Sequence, residues 1–163
     1  MSMTYEQIQA FIFREARLLD DRQWDEWLSC YSENVVYWMP AWDDEDRLTE
    51  DPQSEISLIY YPNRNGLEDR VYRIKTERSG ATSMPEPRTT HLTSNLEILS
   101  QDGQEVKLRF NWQTNSHRYH KTEIFFGTSF YTLDISGEAP LITEKKIVLN
   151  NDYINQVLDI YNI

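Results

Sequence analysis

With 163 residues, of which 27 are acidic and 16 basic, the chain carries a formal net charge of -11. That balance repels a phosphate backbone and excludes nucleic acid as a partner, while a single cysteine, Cys30, excludes an internal disulfide and any Cys-clustered zinc or iron–sulfur site. Aromatic residues at 13% argue for one packed domain over 1–163 and against disorder.

No apolar run approaches the ~20 residues that cross a bilayer. The opening MSMTYEQIQAFIFREARLL has neither a basic start nor a small-residue cleavage site, and no basic amphipathic helix suits a membrane surface. The expectation is a cytoplasmic protein without membrane contact.

In chain order, Ile8, Phe11, Ile12, Ala16 and Leu19 recur at helical spacing, and Thr4 with Gln7 predicts a capping box at the helix start. A second short helix follows Asp21, with Trp24, Trp27 and Leu28 on one face. NVVYWMP is β-branched and aromatic, a short strand that Pro40 ends. An acidic loop follows, then a mixed segment from Glu55 broken at Pro62 and Asn65-Gly66. Leu67, Val71 and Ile74 predict a third helix. GATSMPEPRTT, with two prolines and a glycine, reads as a loop.

Beyond residue 88 the period changes to two. Leu92, Ser94, Leu96 and Ile98 alternate with polar residues, and in VKLRFNW the residues Val106, Leu108, Phe110 and Trp112 share one face. Asp102-Gly103 between them signals a hairpin. IFFGTSFYTLDI and PLITEKKIVL predict two more strands joined through Ser136, Gly137 and Glu138. Helices first and a long antiparallel meander second predict an α+β domain whose curved antiparallel sheet wraps over N-terminal helices.

A cone of that kind can hold a pocket, so its titratable residues matter. His117 and His120 lie three apart in a polar stretch, which places them on opposite faces of a strand and not around one metal. His91 begins the sheet, and with a carboxylate from the strand at Tyr37 it would form an acid–base pair; the alternative is a hydrogen-bonded structural histidine. Cys30, near tryptophans on a helix, reads as a buried inert thiol. The glycines are isolated, so no phosphate loop is present. The run Asp43 to Asp51 lacks both histidines and calcium-loop spacing and reads as a solvated loop, yet the apolar Trp38, Met39, Pro40 and Trp42 beside it suggest an interface.

The block WMPAWDDEDRLTEDPQSEISLIYYPNRNGLEDRVYRIKTERS, with VKLRFNWQTNSHRY, FGTSFYTLD and DYINQVLDIYNI, resembles the small (beta) subunits of benzoate-type aromatic-ring-hydroxylating dioxygenases. Within that family the nearest resemblance is to the anthranilate 1,2-dioxygenase type, with the benzoate and toluate types as neighbours. The resemblance implies the cone shared with nuclear transport factor 2 and scytalone dehydratase. It also implies a non-catalytic subunit that assembles with large (alpha) subunits and other beta subunits as a three-plus-three hexamer. The Rieske [2Fe–2S] cluster and mononuclear non-haem iron would belong to the alpha subunit, and NADH would act through a separate reductase. The implied reaction turns anthranilate and O2 into catechol, CO2 and ammonia; the alternative forms a cis-dihydrodiol from benzoate or toluate. No catalytic, cofactor or metal residue is carried over to this chain.

Two groups are the candidate subunit contacts: Trp38, Met39, Pro40 and Trp42 with the acidic run, and Tyr60, Tyr61, Asn63 and Arg64 followed by Arg70, Arg73 and Lys75. Arginine's planar fork pairs bidentately with carboxylates, which enriches it at interfaces. A rival of another class is a free-standing dehydratase or isomerase with His91 as base. It demands a closed, polar-lined pocket and turnover by the isolated chain, where a scaffold needs a cone filled with side chains.

Overall fold

The computed structural model describes residues 2–80, 86–154 and 156–163, with 78–80 as backbone alone. Helix α1 spans Tyr5–Asp20, and its start is the expected capping box: the Thr4 hydroxyl accepts from the Gln7 amide, and the Gln7 side chain accepts from the Thr4 amide. Helix α2 is Trp24–Leu28 and α3 is Asn65–Gly80. The strands are β1 Tyr31–Pro40, β2 Ser57–Tyr61, β3 Arg88–Asp102, β4 Glu105–Arg118, β5 Lys121–Asp134 and β6 Leu141–Leu149.

One six-stranded sheet runs in the order β2-β1-β6-β5-β4-β3. From β3 to β6 it is the expected antiparallel meander, but β1 joins β6 in parallel, so the sheet is mixed. That pairing brings the N-terminal third of the chain against its last strand, a contact no local pattern announces. Tight turns close the hairpins. Gly103 takes φ +60 between β3 and β4, and Tyr119 and His120 both take positive φ between β4 and β5, the geometry that matches strand twist in two-residue loops.

Inward-facing Val106, Leu108, Phe110 and Trp112 of β4 share one buried cluster with Ile8 and Ile12 of α1, Trp27 of α2 and Leu67, Val71 and Ile74 of α3. The helices therefore line the inner face of the sheet, and alternate strand residues form the outer face.

Two expectations fail locally. In β3 the pairing register shifts between Ser94 and Glu97, where Asn95 takes φ +55. This bulge inserts one residue and reverses the alternation: Leu96 and Ile98 pack on the core while Leu92 is 48% exposed on the other face. Part of the expected loop before the sheet is strand, because Arg88, Thr89 and Thr90 pair with His117, Ser116 and Asn115. Gly80 falls at the end of α3, 86–87 have no regular structure, and 81–85 lie outside the described residues.

Candidate functional site

At the centre of the cone stands a buried ionic cluster. Glu15 projects from the apolar face of α1, and Lys145 projects inward from β6; their side chains are 4% and 2% exposed. The Lys145 ammonium donates to Glu15 Oε1 (3.0 Å) and to the Tyr31 hydroxyl (3.2 Å). Tyr31 and Tyr131 also donate to Glu15 Oε1, at 2.5 and 3.0 Å. Lys145 lies 5.2–5.8 Å from the ring centres of Tyr31, Tyr37 and Tyr131, so π faces supply the rest of its environment. Burial pushes the Glu15 carboxyl up, but the Lys145 charge and the hydrogen bonds from Tyr31, Lys145 and Tyr131 outweigh it and hold the carboxyl below its ordinary value. Burial and then the Glu15 charge hold the phenols of Tyr31, Tyr37 and Tyr131 well above theirs.

These groups were not singled out from sequence, although a signal exists. Glu15 falls between Ile12 and Leu19 on the apolar stripe of α1, and Lys145 keeps step with Ile147 and Leu149 in β6. A charge at an apolar position of the period marks a buried, paired charge.

The cone around this cluster is built of side chains. Trp27 packs tilted against Tyr31 at 4.7 Å between ring centres, Tyr31 lies 6.2 Å from Tyr37, and Tyr37 lies 6.0 Å from Tyr61. A base and an acid in contact are present, and the rings of Tyr31, Tyr37 and Tyr131 stand against the Lys145 ammonium.

His91 is paired elsewhere. Its Nδ1 is 2.5 Å from Asp20 Oδ1 at the end of α1, its amide donates to Asp20 Oδ2, and its Nε2 is 3.3 Å from the Ile163 carbonyl. The partner carboxylate is thus Asp20 and not one from the strand at Tyr37, because β1 and β3 lie four strands apart in the sheet. Burial raises the Asp20 carboxyl, and its bonds to His91 and Thr89 more than reverse this. The Cys30 thiol is buried and pushed up to about 11, chiefly by burial and then by the Glu15 charge, so it is a poor nucleophile. His117 Nδ1 contacts the Thr122 hydroxyl at 2.8 Å, and His120 sits in the adjoining turn.

The candidate contact residues divide by role. Met39 is in the core and Pro40 is buried at the end of β1, so neither offers its side chain to a partner surface. Trp42 is 44% exposed while its indole donates to the Leu149 carbonyl (2.6 Å). Trp38 is half-buried and donates to Ser57. The acidic loop is tied to itself: Asp43 accepts from the amides of Glu45 and Arg47, Arg47 pairs with Glu45, and Glu55 accepts from the amides of Glu50 and Asp51.

In the second group, Arg64 donates to the Tyr31 carbonyl and to Glu68, Arg70 grips Asp159 of the C-terminal segment in a fork, and Lys75 pairs with Asp25. These cations serve the fold, tying α3 to β1, to the tail and to α2. Asn63 accepts from the Asn65 amide just ahead of α3, Tyr61 packs inward against Tyr37, and Tyr60 accepts from Gln53. Arg73 is exposed.

The outer face of the sheet carries a different chemistry. Register aligns Trp38, Lys146, Phe130, Arg109 and Glu97 in one row across five strands. Lys146 stands 5.1 Å from the Trp38 ring and 5.8 Å from Phe130, and Arg109 lies 5.0 Å over Phe130 from the other side. The next rows are Ser94–Asn111–Thr128–Val148 and Leu92–Gln113–Phe126. A groove of about 440 Å³ opens along these two rows, with Asn150 at its end.

Comparison with known proteins places this architecture. The chain matches the family described as "Ring hydroxylating beta subunit" over residues 14–156. It belongs to that family. The beta subunit of toluate 1,2-dioxygenase from Pseudomonas putida is 60% identical over 163 residues, covering 100% of both chains. The benzoate 1,2-dioxygenase beta subunit of Acinetobacter baylyi is 59% identical over 99% of this chain and 95% of its own. The solved benzoate 1,2-dioxygenase beta subunit from Burkholderia mallei superposes with a TM-score of 0.87 at 52% identity, over 100% of this chain and 99% of that one.

The expected nearness to the anthranilate type is overturned. The anthranilate 1,2-dioxygenase small subunit of Acinetobacter baylyi is 33% identical over 96% of this chain and 95% of its own. The blocks that carry the resemblance mark the family and do not separate its substrate types. The naphthalene 1,2-dioxygenase structure, with a TM-score of 0.73 at 16% identity over 94% of this chain and 82% of that one, shows the shared fold. A protein named after scytalone dehydratase shares it too, with a TM-score of 0.66.

The chain is thus a subunit of a ring-hydroxylating dioxygenase, an oxidoreductase in which it pairs with a large oxygenase subunit. Its own residues do not fit a Rieske centre, which takes two cysteines and two histidines: Cys30 is the one cysteine, and its thiol is not disposed to ionise. Among the described residues no three His, Cys, Asp or Glu side chains converge as a metal site.

Proposed function

We propose that this chain is the structural beta subunit of a 1,2-dioxygenase acting on benzoate or a methyl-substituted benzoate, and that the complex forms a cis-dihydrodiol. The observation that carries this is the 60% identity to a toluate 1,2-dioxygenase beta subunit along the whole of both chains, with 59% to a benzoate enzyme. The Rieske cluster and the mononuclear iron reside in the large subunit, NADH supplies electrons through a separate reductase, and three beta subunits stand with three large ones. The beta subunit's part is geometric: it holds the large subunits in register so that electrons pass between their centres. The commitment of Glu15 and Lys145 to one another and to the Tyr31 and Tyr131 hydroxyls supports a scaffold over a free-standing cone enzyme.

The test is co-expression with the large subunit and reductase, followed by substrate-dependent oxygen uptake with benzoate, the toluates and anthranilate. Uptake with benzoate or a toluate, and none from the isolated chain, is the expected result. Preference for anthranilate, or turnover by the chain alone, overturns it.

A further inference from the structure

Between α3 and β4 the fold seats a carboxylate of its own among aromatic rings. Asp159 is 7% exposed although it carries a charge, and its neighbours Leu158 and Ile160 are buried. Arg70 holds it in a fork, with Nε 2.8 Å from both carboxylate oxygens, while the Arg70 side chain stays 26% exposed and within reach of solvent. The segment Leu158 to Ile163 is fastened at two further points. Asn162 donates to the Ser116 hydroxyl (3.4 Å), and His91 Nε2 meets the Ile163 carbonyl (3.3 Å).

Rings surround this carboxylate. Tyr61 lies 6.0 Å from Tyr37, and Tyr161 of the segment lies 6.3 Å from Trp24. Burial and then the Asp159 charge hold the Tyr61 and Tyr161 phenols up, and Tyr37, raised first by burial and then by Glu15, feels Asp159 as well. The surroundings also carry donors that the segment leaves unused. The Tyr37 and Thr114 hydroxyls and the Trp24 indole N–H are buried with no hydrogen-bond partner among the described residues, each at a cost in free energy. Register sets Thr114 opposite His91, and Ser116 follows it on the same inner face, so Thr114 lies between two residues that hold the segment.

We propose that Arg70 and the rings around it form a binding site for an aromatic carboxylate of benzoate size, a site that the segment Leu158 to Ile163 occupies in competition. The Arg70 fork takes the ligand's carboxylate in place of Asp159, for planar guanidinium binds any carboxylate bidentately. The ligand's ring replaces the apolar side chains of Leu158 and Ile160, with Tyr37, Tyr61 and Trp24 offering aromatic edges and faces. Because the segment must leave first, the apparent affinity is reduced by the fraction of chains in which it is open. The ligand class is read from the site and does not need the proposed function. Where both hold, the beta subunit responds to the class of compound that the complex oxidises.

The test uses the full chain without the large subunit, so that no benzoate site of the large subunit is present. Equilibrium dialysis measures binding of benzoate, benzamide and acetate, and hydrogen exchange read by mass spectrometry follows 158–163. Near-ultraviolet circular dichroism verifies the fold of each variant. Benzoate is expected to raise exchange in 158–163 of the wild type. Benzamide lacks the carboxylate and acetate lacks the ring, so each is expected to bind at least about tenfold more weakly. Asp159→Asn removes the competing charge and is expected to tighten benzoate about tenfold or more. Arg70→Lys added to Asp159→Asn keeps the charge, loses the fork and is expected to reverse that gain.

Binding of benzoate by Asp159→Asn alone sustains the assignment, since the segment then outcompetes the ligand in the wild type. Benzoate binding that leaves exchange in 158–163 unchanged or lowered overturns it. So does equal binding of benzamide, and so does a lack of benzoate binding by the wild type and every folded variant. None of these outcomes touches the substrate of the complex, which oxygen uptake tests separately.

Discussion

The two faces of the sheet are cut from the same strands and obey opposite rules. On β6, Lys145 and Lys146 are neighbours in sequence. Lys145 points inward, is 2% exposed, and is fully committed to Glu15, Tyr31 and three π faces. Lys146 points outward, is half-buried, and rests between Trp38 and Phe130 without a carboxylate in that row nearer than Glu97 across the sheet. Identical side chains thus do different work. The inner one is fixed by its own fold, and the outer one leaves its ammonium for solvent or for a partner.

The largest effect expected from testing this contrast is at the inner lysine. Lys145→Met leaves the Glu15 carboxylate buried without its counter-charge and is expected to cost about 3–5 kcal/mol in denaturant unfolding. The double variant with Glu15→Leu removes both charges and is expected to recover part of that loss. No recovery would mean that the Tyr31 and Tyr131 hydroxyls, and not the charge pair, dominate the cluster.

Alkaline pH attacks the same cluster without mutation. The phenols of Tyr31, Tyr37 and Tyr131 are raised in the folded state, first by burial and then by the Glu15 charge, while in the unfolded chain they ionise near pH ~10. Their contribution to stability is whole below that pH and is lost as pH rises above it, because the unfolded chain then releases protons that the fold retains. Denaturation midpoints measured between pH 8 and 11 are expected to decline in the upper part of that range. The sign is opposite at Glu15 and Asp20, whose lowered carboxyls contribute above the ordinary carboxylate range and lose that contribution as pH falls through their folded values.

Arg70→Ala comes next in size. Its fork holds Asp159, and with it the segment that ends near His91, so its loss is expected to cost about 2 kcal/mol and to raise amide exchange from 158 to 163. On the outer face, Arg109→Ala removes one cation–π contact in a half-exposed row and is expected to cost less than about 1 kcal/mol in the isolated chain. A larger effect on assembly than on stability would sharpen the contrast between the faces; a large stability loss would blur it.

Much of the architecture is legible residue by residue. The Thr4–Gln7 box, the stripe from Ile8 to Leu19, the alternation from Val106 to Trp112 and the Gly103 turn all depend on neighbours within a few positions, and each appears where local chemistry requires it. What stayed hidden depends on distant partners. The Asn95 bulge is one unpaired residue whose left-handed backbone asparagine tolerates, and nothing in its neighbours forces it. Arg70, Arg64 and Lys75 look like free surface cations until Asp159, Tyr31 and Asp25 are brought to them. Met39 looked like part of an apolar patch beside an acidic loop, but strand alternation turns it into the core next to outward-facing Trp38.

By itself the sequence determined the family, the α+β order of elements and the exclusion of a self-contained iron–sulfur site, because these follow from local periodicity, a long block that resembles the family and the count of sulfur ligands. Only the tertiary structure decided that β1 closes the sheet in parallel on β6, that Glu15 and Lys145 meet inside the cone, and that Trp38, Lys146, Phe130, Arg109 and Glu97 line up in one outward row. Those outcomes depend on which segments share space, and a charge is costly or useful only according to what stands within a few ångströms of it.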